Sequence, residues 1–200
     1  MEIILISPEN NSENEHELIN FFFENGLKYF HLRKPEYSVF EMKKYIHKVP
    51  EIYRKRIILH SHYELISEFS LKGGHFSIKR MNEFEKFKKF DFQKSYSAHN
   101  FLELEKYHRE LDYIFISPVF DSISKTGYKS NFDLTDIQDF IGKKNAKNIV
   151  ALGGISIENI SKLENIPFFG LAFLGYIWNT DFETSKKRYI DISEHLRLKT

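Results

Sequence analysis

"YIFISPVFDSISKTGYKSNF" (113–132) opens as an unbroken apolar run and then gives way to hydroxyls, lysines and one glycine. Consecutive rather than alternate apolar residues fit a strand covered on both faces, the condition of strands in a parallel sheet. The polar tail is long for a connection inside one domain, which marks it as a lid or a substrate clamp.

Seven further apolar runs resemble this one: 3–7, 29–33, 56–60, 74–78, 94–99, 148–154 and 168–175. A charged segment with helical spacing follows each of the eight, at 13–25, 38–48, 62–70, 82–89, 100–110, 133–143, 157–164 and 181–196. Ser12, Asn100, Thr135 and Ser156 mark helix starts, with Glu15, Glu103 and Gln138 as capping-box partners of the first three. Eight strand–helix units over residues 1–200 predict a single-domain (β/α)₈ barrel at the small end of its size range. An open doubly wound sheet shares the same strand pattern and differs only in closure.

Composition narrows the function. With 42% hydrophobic residues, the chain can bury one sizeable core. It has no cysteine, which removes disulfides, thiolate metal sites and cysteine nucleophiles, and fits a reducing cytoplasm. No apolar stretch approaches the roughly 18 residues that a membrane helix needs. The net charge of +1 provides no global field to recruit nucleic acid. The 20 phenylalanines fall mostly at helical or strand spacing and read as core.

In a barrel, the loops after the strand C-termini build the active site. His31, His60, His62, His75 and His99 lie at such ends. His60-Ser61-His62 has the H-x-H form of barrel metallohydrolases, yet few carboxylates accompany it, with Asp121 the main one. "ALGGIS" (151–156) and "GLAFLG" (170–175) place glycines at the ends of the seventh and eighth runs. Glycines there let backbone N–H groups approach a phosphate, although a tight turn alone would also use them. Arg33 and Lys125 would face that anion across the mouth.

"FHLRK" (30–34), "SAH" (97–99), "DYIFISPVFDSISK" (112–125), "ALGGI" (151–155) and "GLAFLG" (170–175) together resemble the thiamine phosphate synthase and TenI family, in order and over nearly the whole chain. The resemblance implies a barrel that couples an aminopyrimidine diphosphate to a thiazole phosphate with release of diphosphate. It implies that Ser122, Ser124 and Lys125 contact the diphosphate, that Ser97 lines the same pocket, and that Gly153, Gly154, Leu174 and Gly175 hold the thiazole phosphate or thiamine phosphate. Arg33 matches the arginine of the family's Q-x-R-x-K motif. A homodimer is a further family-level expectation.

The chain also departs from that pattern. The family's magnesium is held by carboxylates after the third and fourth strands, where this sequence has His60-Ser61 and Arg80. No metal ligand set is therefore expected, and Arg80 supplies a fixed positive charge near the diphosphate in its stead. His31 replaces the motif's glutamine, and Pro35 its lysine, with Lys34 one place early. Pro118 stands where TenI-type tautomerases carry a catalytic histidine. Histidines at 31, 60 and 62 could transfer protons near neutral pH, whereas His75 and His99 read as structural. Three readings stay open: a synthase with altered diphosphate activation, a proton-transfer enzyme using His31 or His60, and a non-catalytic binder of thiamine phosphate.

Overall fold

The computed structural model describes residues 1–120 and 132–198. Eight parallel strands run β1 (Glu2–Ile6), β2 (Tyr29–Leu32), β3 (Ile57–Leu59), β4 (Gly73–Phe76), β5 (Gln93–Ala98), β6 (Tyr113–Ile116), β7 (Ile149–Leu152) and β8 (Gly170–Phe173). Each pairs with the next, and β1 pairs with β8 through Glu2↔Gly170 to Leu5↔Phe173, so the sheet closes. That closure decides for the (β/α)₈ barrel and against the open sheet.

The longest helices are α1 (Glu15–Glu24), α2 (Val39–His47), α7 (Leu134–Lys144) and α9 (Phe182–Arg197). Between them lie the shorter α3 (Glu51–Arg54), α4 (Leu65–Glu68), α5 (Met81–Phe87), α6 (Phe101–Tyr107) and α8 (Gly175–Trp178). Two departures from the sequence pattern matter. The segment after β7 forms only a 3₁₀ turn, Ile160–Leu163, and the one after β3 contracts to the four residues of α4. β6 ends at Ile116, short of the apolar run.

Caps explain several boundaries. Asn100 caps α6 as expected, its Oδ1 accepting from the Glu103 N–H at 2.9 Å. Ser12 does not cap α1: Asn14 holds that position in the left-handed region, and Glu15 instead accepts from the Ser12 N–H. Asp133 rather than Thr135 caps α7, accepting from the Thr135 N–H at 2.7 Å, and Ser38 forms a full capping box with Glu41. At α7 the short polar side chain two positions upstream of Thr135 reaches the free amide first.

Most of the core lies between sheet and helices, where Phe22, Phe23, Phe30, Ile46, Leu59, Phe76, Ile114 and Tyr189 pack. This outer shell accounts for the aromatic richness, as the spacing predicted. A smaller apolar cluster fills the lower barrel: Ile4, Tyr29, Ile58, Tyr113, Phe115, Val150 and Ala172. Toward the strand C-termini this apolar filling is interrupted by buried polar side chains, among them His31, His75 and Ser95.

Candidate active site at the C-terminal mouth

The inward-facing positions of neighbouring strands bring three histidines together. His31 on β2 is fully buried, and its Nδ1 lies 3.0 Å from Nε2 of His60, just beyond β3. His31 Nε2 lies 2.9 Å from the Tyr113 hydroxyl of β6. His75 on β4 stacks on His60 with ring centroids 4.3 Å apart. Its Nδ1 meets Ser95 Oγ at 2.8 Å and its Nε2 meets Ser97 Oγ at 2.9 Å, both from β5. The expectation that His75 is merely structural is thus incomplete, since it belongs to the polar centre.

Burial holds these imidazoles neutral. Desolvation is the main cause for each, and it pushes His75 down to about 3. His31 and His60 are held well below the ordinary histidine value by burial first and by neighbouring imidazoles next, with Arg33 and Arg80 adding to the effect on His60. The expectation that residues 31 and 60 titrate near neutral pH is corrected accordingly. His62 turns elsewhere, with a φ of 54° and its Nε2 2.8 Å from the Tyr37 carbonyl oxygen. His99 is exposed, and its backbone N–H donates to Glu103.

Arg33 leaves the end of β2 half-buried, with its guanidinium paired to Glu9 and its backbone N–H donating to Ser7 Oγ at 2.8 Å. Lys34 takes the opposite side of the strand. Its ammonium is fully buried, 2.8 Å from Glu15 on α1 and 3.0 Å from the Asn10 carbonyl. A one-residue shift along an extended chain moves a side chain to the other face, so Lys34 points away from the side that Arg33 takes.

At the ends of β7 and β8 the backbone itself forms the surface. Gly153 and Gly154 have φ of +104° and +65°, which L side chains rarely adopt. A Cβ on Gly153 would lie 2.7 Å from Cβ of Pro118, and the chain after β6 crosses here with the Val119 N–H donating to the Leu152 carbonyl at 3.0 Å. Asn159 fixes the turn from both sides: its Nδ2 donates to the Gly154 carbonyl at 2.7 Å and its Oδ1 accepts from the Ser156 N–H at 2.9 Å. The Ser156 amide is thus occupied, and the segment that follows is the 3₁₀ turn Ile160–Leu163 rather than an α-helix. Leu174 leads into α8, which opens at Gly175. Among the described residues, the amides of Gly154 and Gly175 have no hydrogen-bond partner.

Arg80 lies exposed after β4, at the end of the 3₁₀ turn Ile78–Arg80, and Ser61 is buried beside His60. Neither position offers magnesium the oxygen ligands it prefers, so the residues present there do not fit that ion. Asp121, Ser122, Ser124 and Lys125 lie outside the described residues. A cleft of about 290 Å³ at the other end of the barrel, lined by Met1, Lys28, Tyr189 and Arg197, contains none of the residues singled out from the sequence.

The family model for thiamine monophosphate synthase matches residues 3–177. The chain belongs to the thiamine monophosphate synthase family. Among solved structures, a thiamine phosphate pyrophosphorylase from Bacteroides thetaiotaomicron superposes with a TM-score of 0.86 at 25% identity, covering 100% of both chains. A thiamine phosphate pyrophosphorylase from Pyrococcus furiosus gives 0.81 at 15% identity, over 99% of this chain and 96% of the other. Phosphoribosyl anthranilate isomerase from Thermotoga maritima gives 0.66 at 14%, over 98% and 100%, a likeness of fold alone. A comparison with curated proteins finds no match. No helix among the described residues is long and apolar enough to cross a membrane. The central imidazole group of His31, His60 and His75 was hinted at in the sequence only by single residues, and barrel closure assembles it.

Proposed function

We propose that this protein binds a phosphorylated thiazole or thiamine phosphate in thiamine metabolism. Its phosphate rests on the amides near Gly154 and Gly175, with the side chain of Arg33 across the mouth, and the heterocycle lies over Ser97 and the His60–His75 pair. The observation that carries this reading is the β7–β8 corner: two glycines at positive φ, a Cβ position closed by Pro118, and free amides at two adjacent strand ends. Free amides in such a corner favour an anion. Family membership supports the class of ligand.

The test is a thermal-shift series with thiamine phosphate, thiazole phosphate, the unphosphorylated thiazole alcohol and diphosphate, each with and without magnesium. A ligand that prefers the native state raises its melting temperature. The phosphorylated thiazole and thiamine phosphate should stabilise, and the alcohol should not. Equal shifts from the alcohol and its phosphate would refute the phosphate corner.

Synthase-type coupling to an aminopyrimidine diphosphate is a second reading, favoured by the strand 6 residues Ser117-Pro118-Val119-Phe120 that match the family pattern. Diphosphate departure would then proceed without the usual carboxylate-held magnesium, with Lys125, Ser122, Ser124 and Arg80 around the leaving group. Thiamine phosphate formation should be slow and insensitive to magnesium. Brisk, magnesium-dependent synthesis would establish the ordinary synthase reaction instead.

A further inference from the structure

We infer that His31, His60 and His75 form a three-imidazole site for a borderline divalent cation of the zinc class, at the floor of the barrel mouth. Their ligand-capable atoms all lie within 4.8 Å of one another. The three come from successive strand ends, so the barrel wall fixes their relative positions. This differs from the H-x-H pair suggested by the sequence, because His62 bonds the Tyr37 carbonyl instead.

The chemistry of the donors selects the ion. Three neutral nitrogens suit zinc, cobalt or nickel, while magnesium and calcium prefer oxygen. Tetrahedral zinc with bonds of roughly 2.0–2.1 Å keeps its ligand atoms about 3.3 Å apart. The 3.0 Å between His31 Nδ1 and His60 Nε2 needs to open only slightly. The His75 ring must swing in from within the 4.8 Å limit, exchanging the contact of its Nε2 with Ser97 Oγ for the metal.

The outer contacts already orient the rings as such a site requires. His31 Nε2 is held by the Tyr113 hydroxyl and His75 Nδ1 by Ser95 Oγ, which leaves His31 Nδ1 and His75 Nε2 toward the centre. Ligating histidines almost always have the second ring nitrogen fixed in this way. Burial also favours the neutral form that binds metal. His60 is half-buried and forms the route of entry. A fourth position would open toward Ser97 and the mouth, as in metal sites that admit water or substrate. The inference is independent of which phosphorylated compound binds above.

The experiment uses the full chain, stripped with a chelator, dialysed, and titrated with Co²⁺ alone and then with Zn²⁺ as competitor. One equivalent of cobalt should bind and give the intense visible bands of a four-coordinate site, and zinc should bleach them. His60→Gln should weaken cobalt binding by about 100-fold or more, and Tyr113→Phe by about 10-fold with unchanged stoichiometry. His62→Gln should leave it unaltered. Imidazole resonances of the unsubstituted protein provide a check that no folding defect can obscure: three rings should shift together on adding zinc. The inference is overturned if no stoichiometric cobalt binds, if His60→Gln binds as tightly as the wild type, or if zinc leaves the three resonances in place. In the last case the cluster is a metal-free hydrogen-bonded network.

Discussion

Replacing Lys34 tests the placement of its ammonium, buried against Glu15 and away from the mouth. Its side chain is 0% exposed and that of Glu15 3%, with 2.8 Å between ammonium and carboxylate. At that separation and an effective dielectric near 20, the attraction is about 6 kcal/mol, most of which offsets the desolvation of two buried charges. Lys34→Met keeps much of the apolar stem but leaves Glu15 ionised and buried, with the Tyr45 hydroxyl and the Ser12 N–H as its remaining donors. The single substitution should therefore cost about 3–5 kcal/mol. Adding Glu15→Gln removes the stranded charge and retains an oxygen for those donors, so the double variant should lie within about 1.5 kcal/mol of wild type. Denaturant unfolding of all four proteins, analysed as a double-mutant cycle, gives the coupling. Additive effects, or a cost below about 1 kcal/mol for Lys34→Met, would refute the buried pair. A stable Lys34→Met that has lost affinity for phosphorylated ligands would place the lysine in the mouth.

Gly153→Ala should destabilise the protein by about 2–5 kcal/mol, the sum of a positive-φ penalty and overpacking against Pro118, measured by urea unfolding. Asn159→Ala removes two hydrogen bonds to the 154–156 turn and should cost about 2 kcal/mol, with weaker binding of the phosphorylated thiazole by calorimetry. The pair Ser61→Asp with Arg80→Asp should create magnesium-dependent thiamine phosphate formation where neither change alone does; an activity flat across a magnesium titration in the double variant would show that more than these two ligands separates the chain from a synthase. Asp133→Ala, which removes the cap of α7, should lower stability by about 1 kcal/mol without altering ligand affinity.

The repeat of apolar run and charged segment was enough to specify strands and helices, because parallel strands covered on both faces must be apolar throughout. The glycines at 153, 154 and 175 and the arginine at 33 were legible as site candidates for the same local reason: they sit at strand ends. Helix boundaries were less so, since Asp133 and Thr135 are both competent caps and only the folded geometry selects between them. The contraction of the segment after β7 to a 3₁₀ turn had no signal in the spacing of its apolar residues.

Sequence alone determined the class of fold and which residues stand at the strand ends, the glycines at 153, 154 and 175 and the residues His60, Ser61 and Arg80 among them. Tertiary structure decided the rest. Closure through β1 and β8 distinguishes a barrel from an open sheet, and adjacent runs look the same in either. The strand period of two assigns His31 and Arg33 to one face and Lys34 to the other, but which face is the interior depends on how the sheet curls. His31 and His60 are 29 residues apart and His31 and Tyr113 are 82 apart, so their meeting at 3.0 and 2.9 Å is a property of the closed ring of strands and of no local stretch of chain.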